Sequence, residues 1–299
     1  MRFIVPDMTD TWGLGFVIVL ARILFASVPV GTVAAQSAPD CSTVSYNGDG
    51  TTSNPYEVGN VDQLQCINDQ GLDANYVQVS DIDALETASW NGGDGFEPVG
   101  EFFDEFTGSF NGNGYTITGL TIDRGDRGNV GLFGVTKDAE ITDAGLENVD
   151  VTGVRFVGGL VGDHTEGTVN RSFATGNVSG DAFVGGLLGT SSGTVTDTYA
   201  TGAVTAENDS VGGLIGAQLG TVTNSHATGS VTGTTHVGGL VGFAVLGLIP
   251  ILGGIFELIA LLLGLGALML GLRDSFRSRR QPGPSDRQTT FESDFAQRE

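Results

Sequence analysis

The sequence predicts an all-β fold: a three-sided β-helix (β-solenoid) of about 27-residue coils, with an N-terminal signal segment in front and one C-terminal transmembrane helix behind. Three observations predict it. Val157-Gly158-Gly159-Leu160-Val161-Gly162 recurs at 184–189, 211–216 and 237–242, and a fainter copy, Asn129-Val130-Gly131-Leu132-Phe133-Gly134, sits one period earlier. A second block, Gly167-Thr168-Val169-Asn170-Arg171-Ser172-Phe173-Ala174-Thr175-Gly176, alternates with the first and returns at 193–202 and 220–229. The segments between glycines are short and rich in Val and Thr, and none holds ten residues at helical spacing, which is strand-and-turn chemistry. A propeller blade needs about 40 residues. Three short strands and three turns fit the shorter period, with coils stacking at the ~4.8 Å strand spacing.

Taken in order, residues 1–36 read as a signal peptide. Apolar stretches flank Arg22, and the small residues from Ala34 to Ala38 suit a signal-peptidase cut. A retained N-terminal anchor is the alternative. Residues 37–110 are assigned to an N-terminal cap and first coils, and 111–242 to the repeat solenoid. Residues 243–272 hold one ionisable residue, Glu257, and exceed the ~20 apolar residues that cross a bilayer. Arg273, Arg277, Arg279 and Arg280 follow at once. Such a cluster stays cytoplasmic, so 273–299 is the expected inner tail of a type I, single-pass chain with an extracellular ectodomain.

Stacking places equivalent residues in columns. Leu132, Leu160, Leu187, Leu214 and Leu240 form one expected inner column. Ile141, Val169, Val195 and Val222 form a second, and Ala174, Ala200 and Ala227 a third. Gly159, Gly186, Gly213 and Gly239 suit corners that need positive φ or close approach. Asp197 and Asn224 share a column in which Arg171 is the odd member. The next column, Ser172, Thr198 and Ser225, is either buried and mutually hydrogen-bonded or solvent-facing. Phe173, Tyr199 and His226 read as a register-holding aromatic stack or as a strip for sugars.

Net charge is −22, and a single lysine, Lys137, stands among 13 basic residues. From residue 37 to 242 there are 27 Asp and Glu against five basic residues, Arg124, Arg127, Lys137, Arg155 and Arg171. This excludes a general nucleic-acid binder, which needs a basic footprint. An acidic shell repels itself unless salt screens it, so the composition suits a halophile.

The alternating blocks resemble the GLUG-motif repeats. Asn54-Pro55-Tyr56-Glu57-Val58, Asp62-Gln63-Leu64, Ser80-Asp81-Ile82-Asp83 and the stretch 106–117 resemble the opening of such β-helical ectodomains. The resemblance covers about residues 48–242. It implies a surface-displayed solenoid, often with a binding or adhesive role. Together with the apolar run at 243–272 the expected protein is membrane-anchored and non-catalytic, acting in adhesion, recognition or envelope structure, with a surface glycan or protein as ligand. The rival reading is a carbohydrate-active β-helix enzyme, a polysaccharide lyase or glycoside hydrolase.

The chemistry-bearing residues are few. No cofactor is expected. His164, His226 and His236 lack the HExxH context of a zinc protease. Asp81 with Asp83, or Asp104 with Glu105, supply carboxylate pairs of the kind glycosidases use, in a chain where acids pair by chance. The metal assignment stays unknown: the loop 47–51 begins like a calcium loop but has Val58 where the closing glutamate belongs, and Asp81, Asp83, Asp123 and Asp126 are loose candidates. Cys41 and Cys66 read as a disulfide stapling the cap, with free thiols or a lipid-bearing Cys41 as alternatives. Asn170, Asn177 and Asn208 open N-glycosylation sequons.

Overall fold

The computed structural model describes residues 37–244. The expected signal segment, nearly all of the transmembrane helix and the tail lie outside the described residues. Among the described residues no helix is long and apolar enough to cross a membrane.

The described chain is a repeat of parallel strands forming three sheets. One sheet stacks Phe133–Lys137, Val161–Thr165, Leu188–Ser191, Ile215–Gln218 and Val241–Ala244. The second runs through seven three- or four-residue strands, from Tyr56–Val58 to Thr221–Thr223. The third, of eleven strands, includes Gly145–Thr152, Phe173–Gly185 and Val204–Gly212. The sides are therefore unequal, not three strands of similar length. Phe173–Gly185 stays in one sheet for 13 residues because register shifts between Ala174 and Gly176 and between Gly180 and Ala182 bend it around the core.

The registers reproduce the sequence columns. Ile141, Val169, Val195 and Val222 are successive partners, as are Leu146, Ala174, Ala200 and Ala227. Leu132, Leu160, Leu187 and Leu214 are fully buried. Apolar contact continues down the axis, so each coil is closed on both sides by its neighbours. The last coil has a neighbour on one side only: Val222, Ala227 and Leu240 are partly buried there, and Val237 is 50% exposed.

The corners explain the small and polar columns. Gly159, Gly186 and Gly213 are absent from the left-handed region; close approach is what requires them. A Cβ on Gly186 would stand 2.4 Å from the Gly213 carbonyl oxygen, and one on Gly213 2.2 Å from that of Gly239. Positive φ falls instead on Asp143, Arg171, Asp197 and Asn224, between 46° and 55°, a column where Asp and Asn are the favoured non-glycine residues. Arg171 is tolerated there with a bidentate pair to Asp143 one coil earlier, both contacts at 2.7 Å. The neighbouring polar column is inward: Ser172 and Thr198 are buried, Ser172 Oγ accepts from the Ala144 N–H, and Thr198 Oγ1 donates to Ser225 Oγ.

A second buried polar column was not legible as such. Thr136, His164, Ser191 and Gln218 stack in register inside the solenoid. Thr136 Oγ1 lies 2.9 Å from His164 Nδ1, and burial pushes the imidazole down to about 4.

The N-terminal end is closed. Two short helices, Val61–Gln65 and Ile67–Gln70, follow Asn60, whose Oδ1 accepts from the Gln63 N–H at 2.9 Å, while Gln63 Oε1 accepts from the Gly59 N–H. Beneath them the core is aromatic: Tyr46, Tyr56, Tyr76, Phe106 and Phe133 form a chain of rings 4.9–6.2 Å apart. Cys41 and Cys66 form a disulfide that ties the leading segment to the helix pair.

Two outcomes are expected. Replacing both cysteines by serine opens a loop with a sequence separation of 25, and the chain-entropy contribution lost is about 3 kcal/mol; denaturant unfolding measures it. For His164 the unfolded state binds a proton near its ordinary pKa while the folded state resists it down to about 4, so stability falls as pH drops from about 6.5 to about 4 and the effect levels off below. A His164→Gln variant should lose less stability than the native chain over that window, a difference of roughly 3 kcal/mol at its acid end.

Candidate functional site

Three surface features are set against one another here: the aromatic ladder, the sequence-marked polar residues, and a cleft beside the cap. In the ladder, Phe173 and Tyr199 stack at 4.8 Å with planes 2° apart, and Tyr199 and His226 at 5.4 Å and 14°. Their neighbours Ala174, Ala200 and Ala227 point into the core by strand alternation. The Phe173 ring lies against Gly145, where a Cβ would come within 2.8 Å of it. The faces of Phe173 and Tyr199 are thus taken up within the stack, and His226 ends it, exposed. A second ladder, Phe156 on Phe183 at 5.2 Å, is covered by the Arg155 guanidinium, 5.0 and 5.1 Å from the two rings. Both ladders hold coils in register.

The other marked residues are scattered. Asp81 Oδ1 accepts from the Thr116 N–H one coil later and Asp83 Oδ1 from the Leu85 N–H, so one carboxylate ties two coils and the other serves a turn. Asp49 Oδ1 accepts from the N–H and hydroxyl of Thr51, which closes the 47–51 loop on itself. Among the described residues no three His, Cys, Asp or Glu gather as a metal site. Asn177 and Asn208 are exposed; Asn170 is half-buried with its Oδ1 enclosed, and the sequon hydroxyls of Ser172 and Ser210 are buried.

The cleft, of about 530 Å³, is the exception to this scatter. It lies where the chain leaves the regular coil between residues 85 and 105. Gln65 and Asn68, from the helix pair, clamp the 97–100 segment: Gln65 bonds both the N–H and the carbonyl of Glu97, and Asn68 bonds the Pro98 carbonyl and the Gly100 N–H. Val99 joins the sheet above through the Leu132 carbonyl and the Gly134 N–H. The chain then turns sharply. Glu101 and Asp104 exchange backbone hydrogen bonds at 2.9 and 3.0 Å, and Phe102 and Phe103 form the turn tip, 59% and 88% exposed, with rings 4.4 Å apart. Asp104 thus lines the cleft, whereas its neighbour in sequence, Glu105, does not.

The opposite wall carries charge. Arg124, 5% exposed, reaches Glu97 Oε2 at 2.6 Å, and Arg127 reaches Glu97 Oε1 at 2.8 Å. Two of the five basic residues between 37 and 242 therefore converge on one carboxylate. Arg124 Nε and Asn129 Oδ1 are buried there without a hydrogen-bond partner among the described residues. None of Phe102, Phe103, Arg124, Arg127 and Asn129 was singled out as a site by the sequence reading. Two signals were present: adjacent phenylalanines between acids, which no alternating strand buries, and two arginines three residues apart in a lysine-poor chain.

The fold and repeat surface define a class: a parallel β-solenoid with acidic, self-stacking faces. The model of the GLUG motif matches residues 207–232 of that solenoid. The chain is 41% identical over 179 residues to halomucin of Haloquadratum walsbyi, which is 57% of this chain and 2% of halomucin. It is 38% identical over 113 residues to a protein of Evansella cellulosilytica provisionally named a Gly-rich membrane protein, 38% of this chain and 12% of that one. The chain thus spans a small fraction of either relative. A crystal structure of a Bacteroides ovatus protein, provisionally assigned as an immunoglobulin A1 protease, aligns over 66% of this chain and 76% of that one with a TM-score of 0.45 and 19% identity, too slight a likeness to carry over an activity.

Tyr199→Ala removes two ring contacts at once. The expected loss is about 1–2 kcal/mol in denaturant unfolding, with no change in ligand binding; a loss of glycan binding at unchanged stability would instead mark the ladder as a recognition strip.

Proposed function

We propose that this chain is a non-catalytic, membrane-anchored surface protein of a halophile's envelope, its β-solenoid displayed outside the cell for recognition or envelope structure. One observation carries the reading: the distribution of acid along the solenoid axis. The 27 carboxylates of residues 37–242 all lie at or before Asp209, and the final coil, from Ser210 to Ala244, has none. That coil leads straight into the apolar run that ends at Leu272. Anionic headgroups repel carboxylates over a Debye length, so an acid-free coil suits the membrane-proximal position, and an acid-rich remainder suits concentrated salt. The exposed Val237 and Phe243 at the same end fit a coil that something else covers.

The names of the relatives, halomucin from a halophile and a Gly-rich membrane protein, agree with this reading. Glycan attachment at exposed Asn177 and Asn208 belongs to it as well, as does an intracellular tail at 273–299.

The test uses the full chain in a halophilic host. External protease applied to intact cells in molar salt should release solenoid fragments, and the thermal midpoint of the purified chain should rise from about 0.1 M to multimolar salt as screening takes hold. Complete protection from protease would place the solenoid inside the cell and defeat the proposal. Release of sugar from polysaccharide by the purified chain would favour the enzyme reading.

A further inference from the structure

The cleft beside the cap gathers side-chain features that stacking of the coils alone does not require. Its volume, about 530 Å³, falls in the range of small-ligand sites. Phe102 lines it, and with Phe103 it forms the tip of a turn in which Phe103 is held at φ 81°. A bulky side chain in that region is a true outlier; glycine or asparagine would hold the same turn with less strain. Arg124 is nine-tenths buried in the cleft wall and its Nε is left without a partner among the described residues, as is the buried Asn129 Oδ1.

We propose that this cleft is a binding subsite for a neutral pyranose saccharide. It rests on the recognition branch of the function proposed above. One sugar face lies on the Phe102 ring, and the hydroxyls meet Arg127 and the carboxylates of Glu101 and Asp104.

The chemistry of the walls selects that class. The ligand must offer an apolar face to an exposed aromatic ring and, around its edge, groups that both donate and accept. Guanidinium only donates, carboxylate only accepts, and a hydroxyl serves both. A purely apolar ligand would strip water from Arg127, Glu101 and Asp104 without replacing its hydrogen bonds, at a cost of about 1–3 kcal/mol each. A polyanion is disfavoured: Glu97, Glu101 and Asp104 outnumber Arg124 and Arg127, both guanidinium groups already engage Glu97, and the acidic shell around the cleft repels negative charge. Glu97 has each oxygen held by an arginine, which leaves Glu101 and Asp104 as the carboxylates open to a ligand.

The experiment titrates the full chain, in a detergent without sugar headgroups at multimolar KCl, with maltose, cellobiose and lactose, and with a digalacturonate as the acidic arm. Saturation-transfer NMR reports contact, calorimetry reports affinity, and liberated monosaccharide is followed in the same samples. The native chain should bind at least one neutral disaccharide saturably and leave it intact. Phe102→Ala should weaken binding at least tenfold at an unchanged thermal midpoint, because the ring is exposed; Phe102→Trp should retain it; Arg127→Ala should weaken it several-fold. Absence of saturable binding to any neutral disaccharide overturns the proposal while leaving surface display, read by the protease experiment, standing. Binding unaltered by Phe102→Ala overturns the site but leaves glycan recognition standing. Preference for the digalacturonate overturns the neutral class, and release of monosaccharide overturns both the binding-only site and the non-catalytic reading.

Discussion

The rest of the structure depends on one constraint: the backbone must return to the same position in the cross-section after each turn, so that every strand finds a parallel partner in the coil before it. Register transmits the constraint to side chains. Ile141, Val169, Val195 and Val222 meet because 28, 26 and 27 residues separate them and the chain closes its circuit in each of those lengths. Corners are held to the same rule. The Asp143, Arg171, Asp197 and Asn224 column takes the left-handed conformation in every coil, and the glycine column beside Leu187 gives one coil's backbone room against the next. Outward aromatics then have no choice but to stack on their own equivalents.

A solenoid built this way has a problem at each end, because the end coils lack one neighbour. At the N-terminus the solution is covalent and apolar together: a disulfide, two short helices, the first capped by Asn60, and a run of aromatic rings larger than the Val and Ala that fill the later coils. At the other end the described chain stops with Val237 and Phe243 exposed and with no carboxylate since Asp209. The two ends are chemically different, which gives the molecule a direction and supports a reading in which one end faces out and the other meets the membrane.

The same constraint explains where a ligand site has room to form. In the regular coils each surface group is fixed by its copies above and below, and ring faces and hydroxyls satisfy one another, as Thr196 and Thr223 do at 3.0 Å. The period lengthens near the cap, to 34 residues between Tyr76 and Phe110 and 31 between Phe110 and Ile141. The surplus residues leave the coil, have no copies to pack against, and form the cleft with its turn of two phenylalanines. Irregularity in a repeat protein frees side chains for work that repetition suppresses.

The sequence by itself determined the solenoid, the period, the inner columns and the polarity of the acidic shell, because each of these is a statement about identity at a fixed spacing, and stacked parallel strands convert spacing directly into contact. Only the tertiary structure decided the rest. The unequal sides follow from bulges at Gly176 and Gly180, which carry no signal distinct from other glycines. The burial of Ser172 and His164 depends on which way a strand faces after such a bend. The cleft joins Asn68, Phe102, Arg124 and Asn129 from different turns of the chain, and residues outside the repeat have no period from which their meeting can be read.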